Sequence, residues 1–207
     1  LTLTNVTLQM QNNLNVSTGN FTARNSNITF QLSNNGTANM TWASGTIINI
    51  NNSVMGSNSS FYWGWAVATG NYTLTNNNIS YAGLAFGTGY DNRFSASTGG
   101  SIYNNRFTNF NPASTNGAFT FDSTAAGLNF STNNVDNSSS SNCISFLNSN
   151  GATAEYNTCY NLIDVGVSVG GTTSNINVTG NSFFPTSGEM CGVTLGSTVD
   201  ASGAPVG

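Results

Sequence analysis

The sequence predicts an all-β chain folded as a parallel β-solenoid, in which similar coils stack along one axis. Short segments with alternating apolar residues recur along the 207 residues, and such alternation is typical of strands with one buried face. Many of these segments run into asparagine turns. The turn asparagines recur at spacings of 24 to 29 residues, and a steady period of this length is the signature of a repeat architecture.

The first repeated element is a small residue followed by an apolar-x-apolar strand. It reads GLAF at 83–86, GAFTF at 117–121, CISF at 143–146, GVSV at 166–169 and GVTL at 192–195. A glycine before a strand permits a tight bend. We expect the alternating residues to point inward: Leu84, Phe86, Phe119, Phe121, Ile144, Phe146, Val167, Val169, Val193 and Leu195.

The second element is an apolar-x-apolar strand that runs into an asparagine turn, as in YTLTNNNIS at 72–80 and INVTGNSF at 176–183. Asparagine tolerates the left-handed backbone that a sharp corner requires, and stacked asparagine side chains can bond from coil to coil. The predicted turn residues are Asn51, Asn77, Asn104, Asn133, Asn157 and Asn181.

These two elements resemble the right-handed parallel β-helix repeat family, in which Gly-Ile-x-Val and Asn-Asn-x-Ile segments alternate. The resemblance covers residues 45–198 and implies the architecture alone, because this fold carries many functions. The competing fold is a seven-stranded β-sandwich, which short strands with frequent turns also suit.

The chain divides into three predicted parts. Residues 1–20 form an N-terminal strand or tail that stands outside the repeat, and this part is a possible donor strand. Residues 21–198 form the solenoid head, and residues 199–207 form a C-terminal tail. In LTLTNVTLQM the alternation changes phase at Asn5. The candidate donor-strand residues are Leu1, Leu3, Val6, Leu8 and Met10.

Charge is scarce, at 5% of residues with a net charge of −4. The arginines Arg24, Arg93 and Arg106 are the only cationic side chains, too few for the basic stripe of a nucleic-acid interface. No apolar run approaches the length of a membrane span. We therefore expect neither nucleic acid nor a membrane span.

The sequence contains few side chains that could take part in catalysis. Without histidine or lysine, a catalytic triad, a Schiff base and an imidazole metal site are excluded. Repeat alignment brings only Asp164 and Glu189 near one another on neighbouring coils. Two solvated turn acids are the preferred interpretation of that pair; a polysaccharide-active enzyme is the alternative. We expect no enzyme activity, cofactor or metal.

Residues 61–67 form an aromatic stripe, with Phe61, Trp63, Trp65 and Val67 on one face. Buried, the stripe is a bulky core layer. Exposed, it would form a subunit interface or a platform for sugar rings, as in a monomeric carbohydrate-binding module. We prefer the core interpretation.

Thirteen Asn-x-Ser/Thr sequons suggest N-linked glycans and an extracellular or cell-surface location. Ten of them precede residue 80, so the glycans would cluster on the N-terminal half. The acceptor residues are Asn5, Asn15, Asn20, Asn27, Asn35, Asn39, Asn51, Asn58, Asn71, Asn78, Asn129, Asn137 and Asn177.

Three cysteines in an extracellular chain suggest one disulfide and one leftover thiol. Cys143 and Cys159 are the preferred pair, because the repeat separates Cys143 from Cys191 by two coils. The alternative is that all three are small buried hydrophobic residues.

A nearly uncharged, repetitive body is most simply a structural element. Its Asn, Ser and Thr content, early sequons and alternating N-terminal strand resemble the glycosylated, donor-strand-linked surface filaments of archaea, the thread or type I-like pili. This resemblance implies a head-to-tail homopolymer of identical subunits joined by N-terminal strand exchange, with a role in adhesion.

Overall fold

The structure, a computed structural model, describes residues 1–11, 13–31, 38–43, 45–58, 63–68, 71–80, 92–95, 99–110, 118–123, 127–137, 142–162, 165–186, 191–195, 198–199 and 205–206. Over these ranges the chain is all-β, without helix, and stacked parallel coils form a solenoid. The predicted fold class is confirmed. The β-sandwich is wrong, because sandwich sheets are antiparallel and the three walls here pair in parallel. In these same ranges, no helix has the length and apolarity needed to cross a membrane.

The first wall, wall A, contains one strand from each of eight successive coils. Each strand pairs with its copies above and below, so the wall runs the length of the solenoid. Its strands are β1 (Thr2–Thr4), β4 (Asn20–Arg24), β7 (Ile47–Asn51), β10 (Asn71–Thr75), β13 (Gly100–Tyr103), β16 (Leu128–Ser131), β19 (Thr153–Glu155) and β22 (Asn177–Thr179).

Wall B follows wall A in every coil and also has eight parallel strands. They are β2 (Thr7–Met10), β5 (Asn27–Phe30), β8 (Val54–Ser57), β11 (Asn78–Ser80), β14 (Arg106–Phe110), β17 (Asn134–Asn137), β20 (Thr158–Leu162) and β23 (Ser182–Pro185).

Wall C closes the coil and is divided into a three-stranded and a five-stranded parallel sheet. The first contains β3 (Leu14–Val16), β6 (Ala38–Trp42) and β9 (Trp63–Ala68); the second contains β12 (Asn92–Ser95), β15 (Phe119–Asp122), β18 (Asn142–Leu147), β21 (Val165–Gly170) and β24 (Cys191–Leu195). Beyond it, β25 (Thr198–Val199) and β26 (Pro205–Val206) form a short antiparallel pair.

Walls A and B meet at a corner of two residues in all eight coils. The first corner residue has the left-handed backbone, with φ between 49° and 66°. Asparagine tolerates this conformation, glycine adopts it without a steric cost, and a β-branched residue adopts it with strain. These residues are Asn5, Asn25, Asn52, Asn76, Asn104, Thr132, Tyr156 and Gly180.

From the second coil onward, the second corner residue points into the solenoid and forms a hydrogen-bonded ladder. The asparagine ladder contains Asn77, Asn105, Asn133, Asn157 and Asn181, with Ser53 and Ser26 above it. Within it, the backbone N–H and the side-chain amide of one asparagine both donate to the Oδ1 atom of the next, at 2.9 to 3.1 Å. Each ladder asparagine also donates to a backbone carbonyl of the preceding coil. The buried amides thus satisfy one another.

The predicted turn series therefore mixes three positions. Asn77, Asn133, Asn157 and Asn181 belong to the ladder, as the stacked-amide interpretation requires. Asn104 is the left-handed residue before the ladder, whereas Asn51 ends β7 and precedes both corner residues. Between Ser53 and Asn181 the ladder bonds join residues 24 or 28 apart, and Ser26 and Ser53 are 27 apart.

The core is an apolar column rich in aromatic side chains. Phe119, Phe121, Ile144, Phe146 and Val167 are buried as predicted, and Val169 is half-buried. Val193 and Leu195 continue the same inward columns but are 45% and 74% exposed. They are exposed because β24 is the last strand of its sheet. Leu84 and Phe86 lie outside the described residues.

Residues 2–10, which the sequence pattern sets apart from the repeat, pair within the two long walls. β1 pairs with β4 and β2 pairs with β5, so these residues belong to the first coil of the solenoid. This coil is shorter than the coils that follow. Asn5, where the apolar phase changes, is the corner residue. Leu3, Leu8 and Met10 pack half-buried against the core, whereas Leu1 and Val6 are exposed.

Candidate functional site

An open groove lies on the outer surface of wall B. It has a volume of about 490 Å³ and is lined by Arg106, Asn134, Asp136, Tyr160 and Asn161. These residues come from three successive strands, β14, β17 and β20. Strand alternation explains the arrangement, because the residue between two groove residues points into the core, as Val135 does between Asn134 and Asp136.

The register of wall B fixes which groove residues are neighbours. Arg106 lies beside Asn134, and Asp136 lies beside Tyr160. Adjacent parallel strands are about 4.8 Å apart, so Arg106 and Tyr160 are on opposite sides of the strand that carries Asp136. The groove therefore has a cationic side, a central carboxylate and amide, and an aromatic side.

Some polar groups in the groove remain available to form hydrogen bonds with a ligand. The Asn161 side-chain amide donates to Asp136 Oδ1 at 2.7 Å, which fixes the carboxylate. Asn161 has a left-handed backbone, with φ of 59°, where β20 bends at a register shift with β23. Within the described ranges, the second Asp136 oxygen and the Arg106 guanidinium have no hydrogen-bond partner in the protein.

The aromatic side of the groove consists of two stacked rings. Tyr160 and Phe184 occupy the same outward position on adjacent coils, with ring centroids 5.0 Å apart and planes inclined by 11°. Both rings are exposed, Tyr160 to 38% and Phe184 to 48%. Phe184 covers one face of the Tyr160 ring, and the register puts Asp136 on the side of the other face.

No protein-family model, curated protein or solved structure matches this chain.

The acidic pair considered from sequence, Asp164 and Glu189, lies outside the described residues. Among the residues that are described, no group of three or more Cys, Asp or Glu side chains could hold a metal ion. The groove on wall B, which sequence reasoning missed, has one carboxylate among its described lining residues, that of Asp136.

Trp63 belongs to the core and not to a surface platform. Its side chain is fully buried, stacks on Phe30 with centroids 4.7 Å apart, and donates its indole N–H to the Ser80 carbonyl. A sugar platform that includes Trp63 is therefore wrong. Phe61 and the side chains of Trp65 and Val67 lie outside the described residues.

Most of the described sequon asparagines lie on the outer surface of the walls or at corners. Asn51 and Asn129 are half-buried. Asn35 and the side chains of Asn39 and Asn137 lie outside the description. The exposed acceptors are Asn5, Asn15, Asn20, Asn27, Asn58, Asn71, Asn78 and Asn177.

Cys143 and Cys159 are joined by a disulfide, with their Cα atoms 6.3 Å apart. Cys143 is on β18 of wall C and Cys159 is on β20 of wall B, and both side chains are fully buried. The bond therefore crosses the interior and ties two walls together just behind the groove. The side chain of Cys191 lies outside the described residues.

We expect the double variant Cys143→Ala/Cys159→Ala to lose about 3 kcal/mol of unfolding free energy, the magnitude usual for a loop of this size. The physical reason is that the crosslink restricts the unfolded chain across a sequence separation of 16 residues. Urea unfolding of the oxidised protein and of the variant measures the difference, with Cys191→Ala as the control. Equal midpoints for the double variant and the wild type would contradict the expectation.

Proposed function

We propose that this chain is a structural subunit of an extracellular, glycosylated filament on the cell surface. Subunits join head to tail, and their N-terminal strands β1 and β2 complete the sheets of the next copy. Such a heterologous contact repeats without closing, which generates a filament. Strand addition of this kind uses main-chain hydrogen bonds for affinity.

The observation that carries the proposal is the match between the first and last coils of walls A and B. At one end β1 and β2 contain three and four residues around a two-residue corner; at the other end β22 and β23 have the same lengths around the same corner. All four are the outermost strands of their sheets in this chain. An edge of one copy therefore matches the opposite edge of another.

The apolar layers at the two ends support the same contact. Leu3 and Leu8 at one end, and Val178 and Phe183 at the other, pack on the core but remain half-buried. Stacking one end on the other would bury these side chains, as it does between neighbouring coils inside the chain.

Electrostatics also favour end-to-end contact. Neither residues 1–23 nor residues 165–186 contain a charged side chain. Joining the terminal strands of walls A and B, which lie within these ranges, therefore desolvates no side-chain charge.

Two further features support an extracellular setting. A buried disulfide persists in oxidising compartments outside the cytosol. The exposed sequons in the N-terminal half lie on walls and corners and not in the interior, so attached glycans would coat the side of the shaft.

The first test is polymerisation of the purified 207-residue chain, followed by electron microscopy and light scattering. Deleting residues 1–10 should leave a folded monomer that no longer polymerises. Leu8→Asp should have the same effect with less structural loss, because it places a charge at the half-buried end. Val54→Asp, on the exposed outside of wall B, is the matched control and should still polymerise. Filaments from both end variants would contradict the proposal.

A crosslink tests whether the N-terminal strands leave their own subunit. Thr2 and Thr22 are register partners on β1 and β4, and Thr73 and Ser101 are equivalent partners in mid-solenoid. A Thr2→Cys/Thr22→Cys disulfide should block polymerisation if strands are exchanged, whereas the Thr73→Cys/Ser101→Cys control should not. Polymerisation of the crosslinked variant would show that the strands add through their free edge without leaving.

A further inference from the structure

We propose that the groove on wall B binds a neutral pyranose saccharide, which stacks on Tyr160 and is hydrogen-bonded by Asp136, Asn134 and Arg106. The lining residues lie on β14, β17 and β20, none of which is a terminal strand of wall B, so the proposal does not depend on polymerisation. It assigns the outer surface of wall B to recognition and the ends to assembly.

Tyr160 provides the apolar contact that such a ligand needs. One face of a pyranose ring presents C–H groups, which pack favourably on an aromatic face. Because Phe184 stacks on one side of the Tyr160 ring, the phenol is held in place before a ligand arrives. A ring held in this way costs little conformational entropy on binding.

The polar groups opposite the ring include both the hydrogen-bond donors and the acceptors that sugar hydroxyls need. A hydroxyl both donates and accepts, so a site that recognises vicinal hydroxyls needs an acceptor beside donors. Asp136 supplies a carboxylate oxygen, Arg106 supplies guanidinium N–H groups, and the amides of Asn134 and Asn161 complete the lining. Asn161 already orients the carboxylate through its 2.7 Å hydrogen bond.

Charge balance identifies the ligand as neutral. Arg106 and Asp136 carry one positive and one negative charge, so the lining residues that the structure describes have no net charge. Asp136 lies on the strand between Arg106 and Tyr160, where a carboxylated sugar would meet like charge. A volume of about 490 Å³ is within the range of small-molecule sites.

The test is titration of the 207-residue chain with neutral trisaccharides, namely cellotriose, maltotriose and mannotriose, followed by saturation-transfer NMR and calorimetry. At least one should bind saturably, with Kd on the order of 1 mM or tighter, given the size of a single stacked sugar. Tyr160→Ala should weaken binding at least about tenfold, and Tyr160→Phe should retain most of it, since stacking needs only the ring. Tyr103→Ala is the matched control, because Tyr103 is an exposed tyrosine on wall A.

Asp136→Asn tests the polar half of the site. It should weaken neutral-sugar binding several-fold and strengthen binding of methyl glucuronide, because the like charge is removed. No saturable binding of any trisaccharide would overturn the proposal, as would equal affinities for the wild type and Tyr160→Ala. Tighter binding of methyl glucuronide than of every neutral sugar by the wild type would overturn the assignment of a neutral ligand.

Discussion

Replacing Asn133 with alanine is expected to lower the unfolding free energy by about 4 kcal/mol, because several buried polar groups lose their partners at about 1–3 kcal/mol each. The Asn133 Oδ1 atom accepts from the backbone N–H and side-chain amide of Asn105, at 3.0 and 3.1 Å. Its own amide donates to the Ile102 carbonyl at 2.8 Å and to Asn157 at 3.1 Å. Alanine removes all four hydrogen bonds in a place that water does not reach.

The neighbouring residue is the matched control for this experiment. Asn134 is exposed on wall B, so Asn134→Ala should change the unfolding free energy by no more than about 0.5 kcal/mol. Asn133→Ser should fall between the two, because Ser53 and Ser26 show that a hydroxyl can accept the ladder bond from the preceding coil. Urea unfolding followed by circular dichroism measures all three variants. Similar midpoints for Asn133→Ala and Asn134→Ala would show that the ladder contributes little to stability.

The second large effect is expected from Phe121→Ala, which should also cost about 4 kcal/mol, as is usual for truncating a buried phenylalanine. Phe121 is fully buried, and its ring contacts those of Phe94, Phe130 and Phe146, with centroids 5.4 to 5.8 Å apart. Because these four rings come from three successive coils, the cavity would weaken contacts above, below and across the core.

Phe184→Ala makes the same chemical change at an exposed position. Phe184 stacks only on Tyr160 in the described part of the chain, so its loss should cost about 1 kcal/mol or less. The two unfolding curves, measured side by side, separate core packing from surface stacking. A Phe121→Ala variant as stable as Phe184→Ala would mean that the core relaxes around the missing ring.

The repeat was predictable because its physical requirements fall on particular residue types. A left-handed corner favours asparagine, a buried hydrogen-bonded ladder favours a side-chain amide, and a strand with one buried face favours alternating apolar residues. It was harder to predict which asparagine of a turn occupies which corner position. Asn104 and Asn105 are consecutive, but Asn104 has the left-handed backbone and Asn105 belongs to the ladder. At the top of the ladder the amide is replaced by Ser53, which the asparagine pattern alone does not reveal.

The groove was not predictable in the same way. Arg106, Asp136 and Tyr160 share no motif, and 54 residues separate the first from the last. They meet because the register of wall B places outward residues of successive coils side by side. The usable signal is positional: each groove strand starts directly after a ladder asparagine, so outward positions can be counted from Asn105, Asn133 and Asn157.

The corner between walls A and B has a consequence for how this molecule can vary. The corner keeps its two residues in every coil, while ladder positions in neighbouring coils are separated by anything from 20 to 28 residues. Differences in coil length are therefore absorbed at the other connections. Foreign peptides could be grafted there without disturbing the alignment of the walls, whereas a single residue inserted at a corner would shift the register of the wall B strand that follows it. The corner therefore keeps a constant length, and the length of a coil varies at its other connections.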